Sequence, residues 1–261
     1  MQKIEPENEV LVQKPFPWSE LLLYMAGGLG VFTLVSAGVG ALGLDFGQWP
    51  ILLTVFCNTA FLGGSAWYLG VLRKVTTWDE IGIFPIRWNW KWLWIALGIS
   101  LALMPLRGLV GLLVSYLVEG GLQSLQNRAD LLFGAGASFN WLDFGVRLVG
   151  VGIIVPISEE LYFRGMLHRL FRTSLKFWPR VLLSSAIFAL AHFDSAGVVV
   201  SSFIMAVVIA IAYERSNSLW LPIAIHATTN SIAVLLIYAS MAVQNSPLMD
   251  ALGMGTVLPV A

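Results

Sequence analysis

The chain has 261 residues, of which 57% are hydrophobic and only 11% are charged, and its mean hydropathy is +0.79. Soluble domains carry about 25% charged residues, so this composition excludes an ordinary soluble domain and predicts several membrane-spanning helices. The formal net charge is zero, which gives no global field that would attract nucleic acid, and we expect no nucleic-acid partner.

The N-terminal stretch 1–18 contains three glutamates and three prolines, and it lacks the basic and then apolar pattern of a cleaved signal peptide. We expect a short cytosolic tail there. The single cysteine, Cys57, lies within an apolar run and cannot form an internal disulfide. It is predicted to be a small buried hydrophobic residue.

Seven apolar segments follow, and they predict an all-α polytopic bundle of about seven spans, with six to eight as the range. A spanning helix needs roughly 20 apolar residues, and most segments have that length. The fifth segment is short and rich in Ala and Ser, so we expect it to be sheltered inside the bundle. The tail 242–261 is too weakly apolar to count. The segments are 19–44, 49–72, 92–118, 141–171, 180–193, 196–214 and 219–241.

Lysines and arginines are concentrated in alternate loops. Loop 73–91 and the turn 169–180 carry four each, whereas 45–48 and 194–196 carry none. The positive-inside rule therefore predicts a cytoplasmic N-terminus and, for seven spans, a C-terminus on the other side. His168 lies at the cytoplasmic end of its segment in this topology, and it is expected to face lipid headgroups.

The stretch 76–91 is aromatic and of mixed charge, with Trp78, Trp88 and Trp90 and an interruption at Pro85. Tryptophans of this kind concentrate at the membrane interface. The pattern predicts an interfacial element before the third span, for which an anchoring role is favoured over that of a substrate gate.

Polar and charged side chains interrupt the apolar spans at three places. A charge at bilayer depth costs at least ~2.5–3.5 kcal/mol on insertion scales, so it normally faces protein or water and marks a functional site. The patterns are Glu159-Glu160-x-x-x-Arg164 in the fourth segment, Phe188-x-x-x-His192 at the end of the fifth, and His226-x-x-x-Asn230 in the seventh.

Helix geometry separates the two glutamates. Glu160 and Arg164 are four residues apart and can pair on one face, whereas Glu159 is rotated by about 100°. We interpret Glu160 as held by Arg164, which leaves Glu159 to face a cavity as a general base. A purely structural Glu160–Arg164 ion pair is an equally good interpretation of that pair.

His226 and Asn230 share a helix face by the same spacing, and both could donate hydrogen bonds to a developing oxyanion. Phe188 is assigned to packing. At 1.5 Å per residue, His192 lies roughly 18 Å and His226 roughly 10 Å from the cytoplasmic ends of their helices. Glu159 lies at a similar depth of roughly 15–18 Å. We therefore expect these residues to meet at one site open to the cytosol.

The three motifs, in this order, resemble those of the CPBP family, the CAAX-protease and bacteriocin-processing intramembrane proteases (the Abi group). The flanking residues are also similar to the family pattern. They are Pro156-Ile157-Ser158 before the glutamates, Phe163-Arg164-Gly165 around the arginine, and Ser218-Leu219-Trp220-Leu221-Pro222 before His226. The resemblance covers about residues 145–235.

This resemblance implies an intramembrane endopeptidase that hydrolyses a peptide bond at the cytoplasmic side of the membrane. Glu159 and His192 would activate a water molecule, and His226 and Asn230 would stabilise the oxyanion. The catalytic core would lie within about 141–241 of the bundle.

Glu160 and Arg164 would support this site. The resemblance further implies a membrane-associated peptide or protein substrate, which is prenylated for the eukaryotic members. We expect an integral protein of a prokaryotic plasma membrane, with a bundle over 19–241 between the two tails.

The need for a metal is left open by the motifs. Glu159, His192 and His226 could hold a divalent metal such as Zn(II) with an open position. However, the His-Glu-x-x-His pattern is absent, and a Glu-His pair can activate water without a metal, so a metal-free mechanism is favoured.

Two other classes of protein fit parts of the pattern. A non-catalytic membrane scaffold or bacteriocin-immunity protein could use the same bundle to bind a partner. A transporter could relay protons through buried charges, but it predicts inverted repeats or broken helices in both halves. The sequence shows neither, and the polar residues cluster in the C-terminal half.

Overall fold

A computed structural model of the chain describes residues 18–41, 50–83, 89–127, 139–193 and 195–244. The predicted N-terminal tail lies almost entirely outside the described residues, as do the loop 45–48 and most of the predicted C-terminal tail.

Seven helices make up most of the described ranges, and no β-strand occurs in those ranges. The predicted all-α class is confirmed. The first two helices contain π-helical turns, whose backbone hydrogen bonds span one residue more than those of an α-helix. The first three helices are α1 (Trp18–Tyr24, π-helical Met25–Gly30, Val31–Ala41), α2 (Pro50–Cys57, π-helical Asn58–Gly63 and Ala66–Leu72) and α3 (Lys91–Glu119).

The fourth helix, which carries the two glutamates, alternates between α-helical and π-helical turns. The last three helices are continuous. The four helices are α4 (Trp141–Val149, π-helical Gly150–Ile154, Val155–Glu160, π-helical Leu161–His168, Arg169–Arg172), α5 (Phe177–Leu190), α6 (Ala196–Ser216) and α7 (Trp220–Gln244).

Six of these helices are long and apolar enough to cross a membrane, and α5 is a shorter apolar helix. This is the pattern of an integral membrane protein, and it agrees with the predicted range of six to eight spans. Val181, Ser184, Ser185 and Phe188 of α5 are buried. One face of the short fifth helix is therefore packed against the bundle, whereas Trp178, Leu182, Leu183 and Leu190 are exposed, so the predicted shelter is only partial.

Polar contacts at the helix ends show that the helices run in alternate directions. At one end of the bundle, the basic end, contacts join the start of α1 to the end of α2, and the end of α4 to the α6–α7 turn. At the other end, the Glu119 carboxylate of α3 accepts a 2.6 Å hydrogen bond from the Ala196 amide that begins α6. The contacts at the basic end are Glu20–Arg73 (3.0 Å) and Arg172–Asn217 (3.1 Å).

The turn before residue 84 is docked onto the basic end. The carbonyl oxygen of Gly82 accepts a 3.1 Å hydrogen bond from the Leu219 amide, and that of Ile83 accepts one of 3.0 Å from the Trp220 indole. Gly82 has a φ of +80°, which an L-residue adopts only with strain. These contacts are consistent with the anchoring role predicted for 76–91, of which 84–88 lie outside the described residues.

His168 does not face lipid headgroups, and this expectation from the sequence is corrected. Its ring is fully buried, with Nδ1 2.8 Å from the Ser184 hydroxyl and Nε2 2.7 Å from the Glu214 carboxylate. Arg180 binds the same carboxylate through two contacts of 2.7 Å. A charged partner from α6 therefore draws the imidazole inward, and this partner is 46 residues away in the chain.

Helices α3 and α6 cross at two glycines that are not equivalent. A Cβ atom on Gly197 would overlap the carbonyl oxygen of Gly111, which is backbone and cannot move aside. A Cβ atom on Gly111 would lie 3.7 Å from its nearest neighbour, the Gly197 carbonyl oxygen, at ordinary contact distance. Small residues at such crossings let helix backbones approach closely.

We therefore expect Gly197→Ala to destabilise the fold by about 1–3 kcal/mol, the usual cost of overpacking. Gly111→Ala, its matched control in the same crossing, is expected to leave stability nearly unchanged. Thermal unfolding of the two purified variants in detergent measures the difference. Equal midpoints for both variants would contradict this packing.

Candidate active site

Close packing by α1 and α2 fixes the rotation of α4. A Cβ atom on Gly63 of α2 would lie 3.3 Å from the Ser158 hydroxyl, and one on Gly28 of α1 would overlap the Tyr162 ring. The Tyr162 hydroxyl donates a 2.8 Å hydrogen bond to the Tyr24 carbonyl. The face that carries Ser158 and Tyr162 is therefore held against the N-terminal helices, next to Glu159.

Glu160 is fully buried and has two partners. The Arg164 Nη1 atom lies 3.0 Å from its Oε1 atom, as the four-residue spacing predicts. His226 of α7 brings its Nδ1 atom to 2.7 Å from the same oxygen. Arg164 is in turn held by the carbonyl oxygen of Ala206 at 3.0 Å.

Glu159 is 7% exposed and lies on the other side of the same imidazole. Its Oε2 atom is 3.7 Å from His226 Nε2, and its Oε1 atom accepts a 2.9 Å hydrogen bond from the Asn58 amide of α2. The two glutamates do lie on different sides of the helix, as predicted, but His226 contacts both of them. One imidazole therefore connects carboxylates that helix geometry alone assigns to separate faces.

The cluster of Glu159, Glu160, Arg164 and His226 holds two carboxylates, one guanidinium and one imidazole. It is electrically neutral when a single further proton resides on the imidazole or on either carboxylate. Buried charges are tolerated only when they are paired and hydrogen-bonded. The charges of this cluster are paired with one another, as that condition requires. Its extra proton can reside on more than one atom, which suits acid–base chemistry.

The Phe188 ring is the point at which all three motifs meet. It lies 4.8 Å from the His192 ring and 5.7 Å from the His226 ring, centroid to centroid. The Arg164 guanidinium stands over it at 4.6 Å. His192 Nδ1 also lies 3.0 Å from the Phe188 carbonyl oxygen. Phe188 packs, as predicted, and its ring contacts both histidine rings.

Asn230 lies one helical turn beyond His226. Its amide nitrogen donates a 3.2 Å hydrogen bond to the carbonyl oxygen of Val151, within the first π-helical turn of α4. The adjacent Ser231 hydroxyl donates to the Gly152 carbonyl at 3.4 Å. Asn230 therefore has one N–H group occupied by the backbone of α4.

The predicted metal ligands are not gathered into a ligand set. Among the residues that the structure describes, no three His, Cys, Asp or Glu side chains are arranged to hold a metal ion. Glu159, His192 and His226 therefore form no ligand set in this arrangement, and no step below passes through a metal.

Asn58 is the residue of the site that sequence reasoning missed. It is only 4% exposed, and it lies in α2, 101 residues before Glu159. A signal was present, because Asn58 is the only amide side chain in the apolar segment 49–72. Polar residues within spans commonly bind a neighbouring helix or mark a functional site.

The fold and site define a polytopic helical membrane protein with a buried carboxylate–imidazole cluster. Residues 140–232 match the family model described as type II CAAX prenyl endopeptidase Rce1-like. This part of the chain is therefore similar to the CAAX-type intramembrane proteases, which confirms the resemblance stated from the motifs. The three motifs lie inside the matched region, whereas Asn58 lies outside it.

One curated protein is similar to part of the chain. The chain is 27% identical over 97 residues to an uncharacterized 24.3 kDa protein of Escherichia coli. The alignment covers 36% of this chain and 45% of that relative, so the chain spans about half the length of the protein it matches. No solved structure matches the chain significantly.

Proposed function

We propose that this protein is an intramembrane endopeptidase that hydrolyses a peptide bond of a membrane-associated substrate. The observation that carries the proposal is the buried cluster in which Glu159 and Glu160 flank His226. A buried carboxylate held beside an imidazole within an apolar bundle is costly, and such residues are retained where chemistry needs them.

In the proposed reaction, Glu159 takes a proton from a water molecule while the water oxygen bonds to the scissile carbonyl carbon. His192, whose ring packs against Phe188, would help to orient that water. The negative charge that forms on the carbonyl oxygen would be stabilised by His226 and by the second N–H group of Asn230. The C–N bond then breaks, and the proton on Glu159 passes to the leaving amine.

Glu160 and Arg164 have the supporting role in this scheme. They hold His226 through its Nδ1 atom, which directs Nε2 toward Glu159. This is the familiar arrangement in which one nitrogen of a histidine is fixed so that the other can act.

The positive-inside pattern supports a cytoplasmic basic end and a cytoplasmic N-terminus. Glu159 is 13 residues from Arg172 at the end of α4, or about 20 Å at 1.5 Å per residue. The proposed scissile bond therefore lies within the bilayer on the side of the basic end. A prenyl chain on the substrate would hold its peptide at the membrane surface next to the site, and we propose prenylated peptides as the first substrate class to test.

The test is peptide cleavage by the full-length protein in lipid vesicles, with prenylated and unmodified peptides of the same sequence. Glu159→Gln is expected to lower kcat by about 10²–10⁴-fold, the usual contribution of general acid–base catalysis. Glu20→Gln is the matched control, because Glu20 is a carboxylate in a span that pairs with Arg73 away from the site.

Equal cleavage by the wild type and Glu159→Gln would exclude the assigned role of Glu159. Absence of cleavage of every peptide by the wild type would favour the non-catalytic scaffold or immunity protein. The same assay with a chelator and added Zn(II) tests metal dependence, and full activity in the chelator is expected.

A further inference from the structure

We infer that Asn58 of α2 is a positioning residue for Glu159, a role that rests on the proposed function. The Asn58 Nδ2 atom donates a 2.9 Å hydrogen bond to Glu159 Oε1, and both side chains are buried. Asn58 lies outside the residues 140–232 that match the family model. The site is therefore completed by a helix of the N-terminal half.

The hydrogen bond from Asn58 distinguishes the two oxygens of Glu159. Oε1 is occupied by the Asn58 amide, and Oε2 remains near His226 Nε2 at 3.7 Å. This second distance exceeds a direct hydrogen bond, and it is one at which a water molecule can bridge two polar groups. Asn58 would thus assign Oε2 as the atom that takes the proton from water.

The backbone of α2 holds Asn58 rigidly at this place. Thr59 accepts a 3.4 Å hydrogen bond from the Ser158 hydroxyl, and Gly63 allows α2 to approach Ser158 closely. Asn58 is the first residue of the π-helical turn Asn58–Gly63, and single π-helical turns occur frequently at functional sites. The packing of α2 against α4 therefore fixes the position of the Asn58 amide, in addition to its own side-chain rotamer.

The other end of the Asn58 amide argues against a purely structural role. Its Oδ1 atom is buried and has no hydrogen-bond partner among the described residues. A buried carbonyl oxygen without a partner is unfavourable, and leucine at the same place would avoid that cost. Asn58 is thus poorly suited to stability alone, whereas its Nδ2 atom is well suited to orient Glu159.

The experiment compares wild type, Asn58→Leu and Asn58→Asp in the vesicle cleavage assay and in thermal unfolding. Both variants fill the site but remove the donor. We expect kcat to fall about 10–100-fold, as for other residues that orient a reacting side chain, with KM within about threefold of wild type. Asn58→Gln, which keeps the amide donor, is expected to recover part of kcat.

Leu62→Ala is the matched control on the same helix, because Leu62 is as buried as Asn58 and its side chain belongs to the hydrophobic core. It is expected to lower the unfolding midpoint while it leaves kcat of the folded protein unchanged. Unchanged kcat in Asn58→Leu would overturn the inference. So would a fall in kcat matched by a fall in midpoint as large as that of Leu62→Ala.

A double-mutant cycle tests the pairing without relying on cleavage. Asn58→Leu, Glu159→Leu and the double variant are compared by unfolding midpoint, because leucine at either position removes the hydrogen bond. If the two side chains interact, the shift of the double variant differs from the sum of the single shifts. Additive shifts would overturn the inference whether or not a substrate is found. Loss of cleavage in Glu159→Gln with full activity in Asn58→Leu would overturn it while the proposed function remains.

Discussion

Arg164→Met is expected to yield little folded protein. Arg164 is 1% exposed and its partner Glu160 is fully buried, so removal of the guanidinium leaves a carboxylate without its cation inside the bundle. Breaking one side of a buried ion pair costs about 3–5 kcal/mol, a large part of the ~5–15 kcal/mol by which proteins are stable. Loss of the contact with the Ala206 carbonyl adds to the effect.

The cost arises from the unpaired carboxylate, so Glu160→Gln in the same chain is expected to restore much of the stability of Arg164→Met. Expression level, elution as a monodisperse species and the unfolding midpoint in detergent measure both effects. Arg73→Met is the control, because the Arg73–Glu20 pair lies at the exposed basic end and surface pairs add little. If Arg164→Met were as stable as Arg73→Met, the pair would not be buried as described.

His226→Ala and His192→Ala are expected to lower kcat by similar factors, about 10²–10⁴-fold each, but to differ in stability. His226 is 2% exposed and is one of the two partners of Glu160 Oε1, so its loss removes a hydrogen bond to a buried carboxylate, which destabilises by about 1.5–3 kcal/mol. His192 is partly exposed at the end of α5, and its replacement is expected to leave the unfolding midpoint close to wild type.

Cleavage in vesicles and thermal unfolding are measured on the same preparations of both variants. A stable His226→Ala protein with full activity would contradict both the buried contact and the assigned role. Phe188→Leu serves as a related control. It keeps an apolar side chain at the meeting point of the motifs, so it separates loss of an imidazole from loosened packing.

The spans could be predicted from the sequence because length and hydropathy determine them. The segment 92–118 corresponds to Lys91–Glu119, and 196–214 to Ala196–Ser216. The Glu160–Arg164 pair could also be predicted, because a four-residue spacing on a helix is a local property.

The contacts between helices could not be predicted in this way. Asn58 meets Glu159 across 101 residues, and His226 meets Glu160 across 66. Such pairings depend on which helices pack together and on their rotation. The π-helical turns Gly150–Ile154 and Leu161–His168 change that rotation within α4, and no simple hydrophobic period reports them.

The position of His168 could not be predicted for the same reason. His168 lies between Arg164 and Arg169 in the sequence, which predicts that it faces lipid headgroups. In the structure, Glu214 of α6 binds it in the interior. For both His226 and His168, a charged partner on a distant helix determines where the side chain lies, and the neighbours in the sequence matter less. The reason is that ion pairing at low dielectric is far stronger than at the protein surface.

The separation of 66 residues between Glu160 and His226 has a consequence during synthesis on the ribosome. Chains grow at about 5–20 residues per second, so Glu160 is synthesised roughly 3–13 s before His226 of α7. During that interval Arg164, on the same helix, already neutralises Glu160, and the earlier helix α2 already offers Asn58 to Glu159. Glu159 and Glu160 thus each have a partner when α4 inserts into the bilayer, before the last span is synthesised.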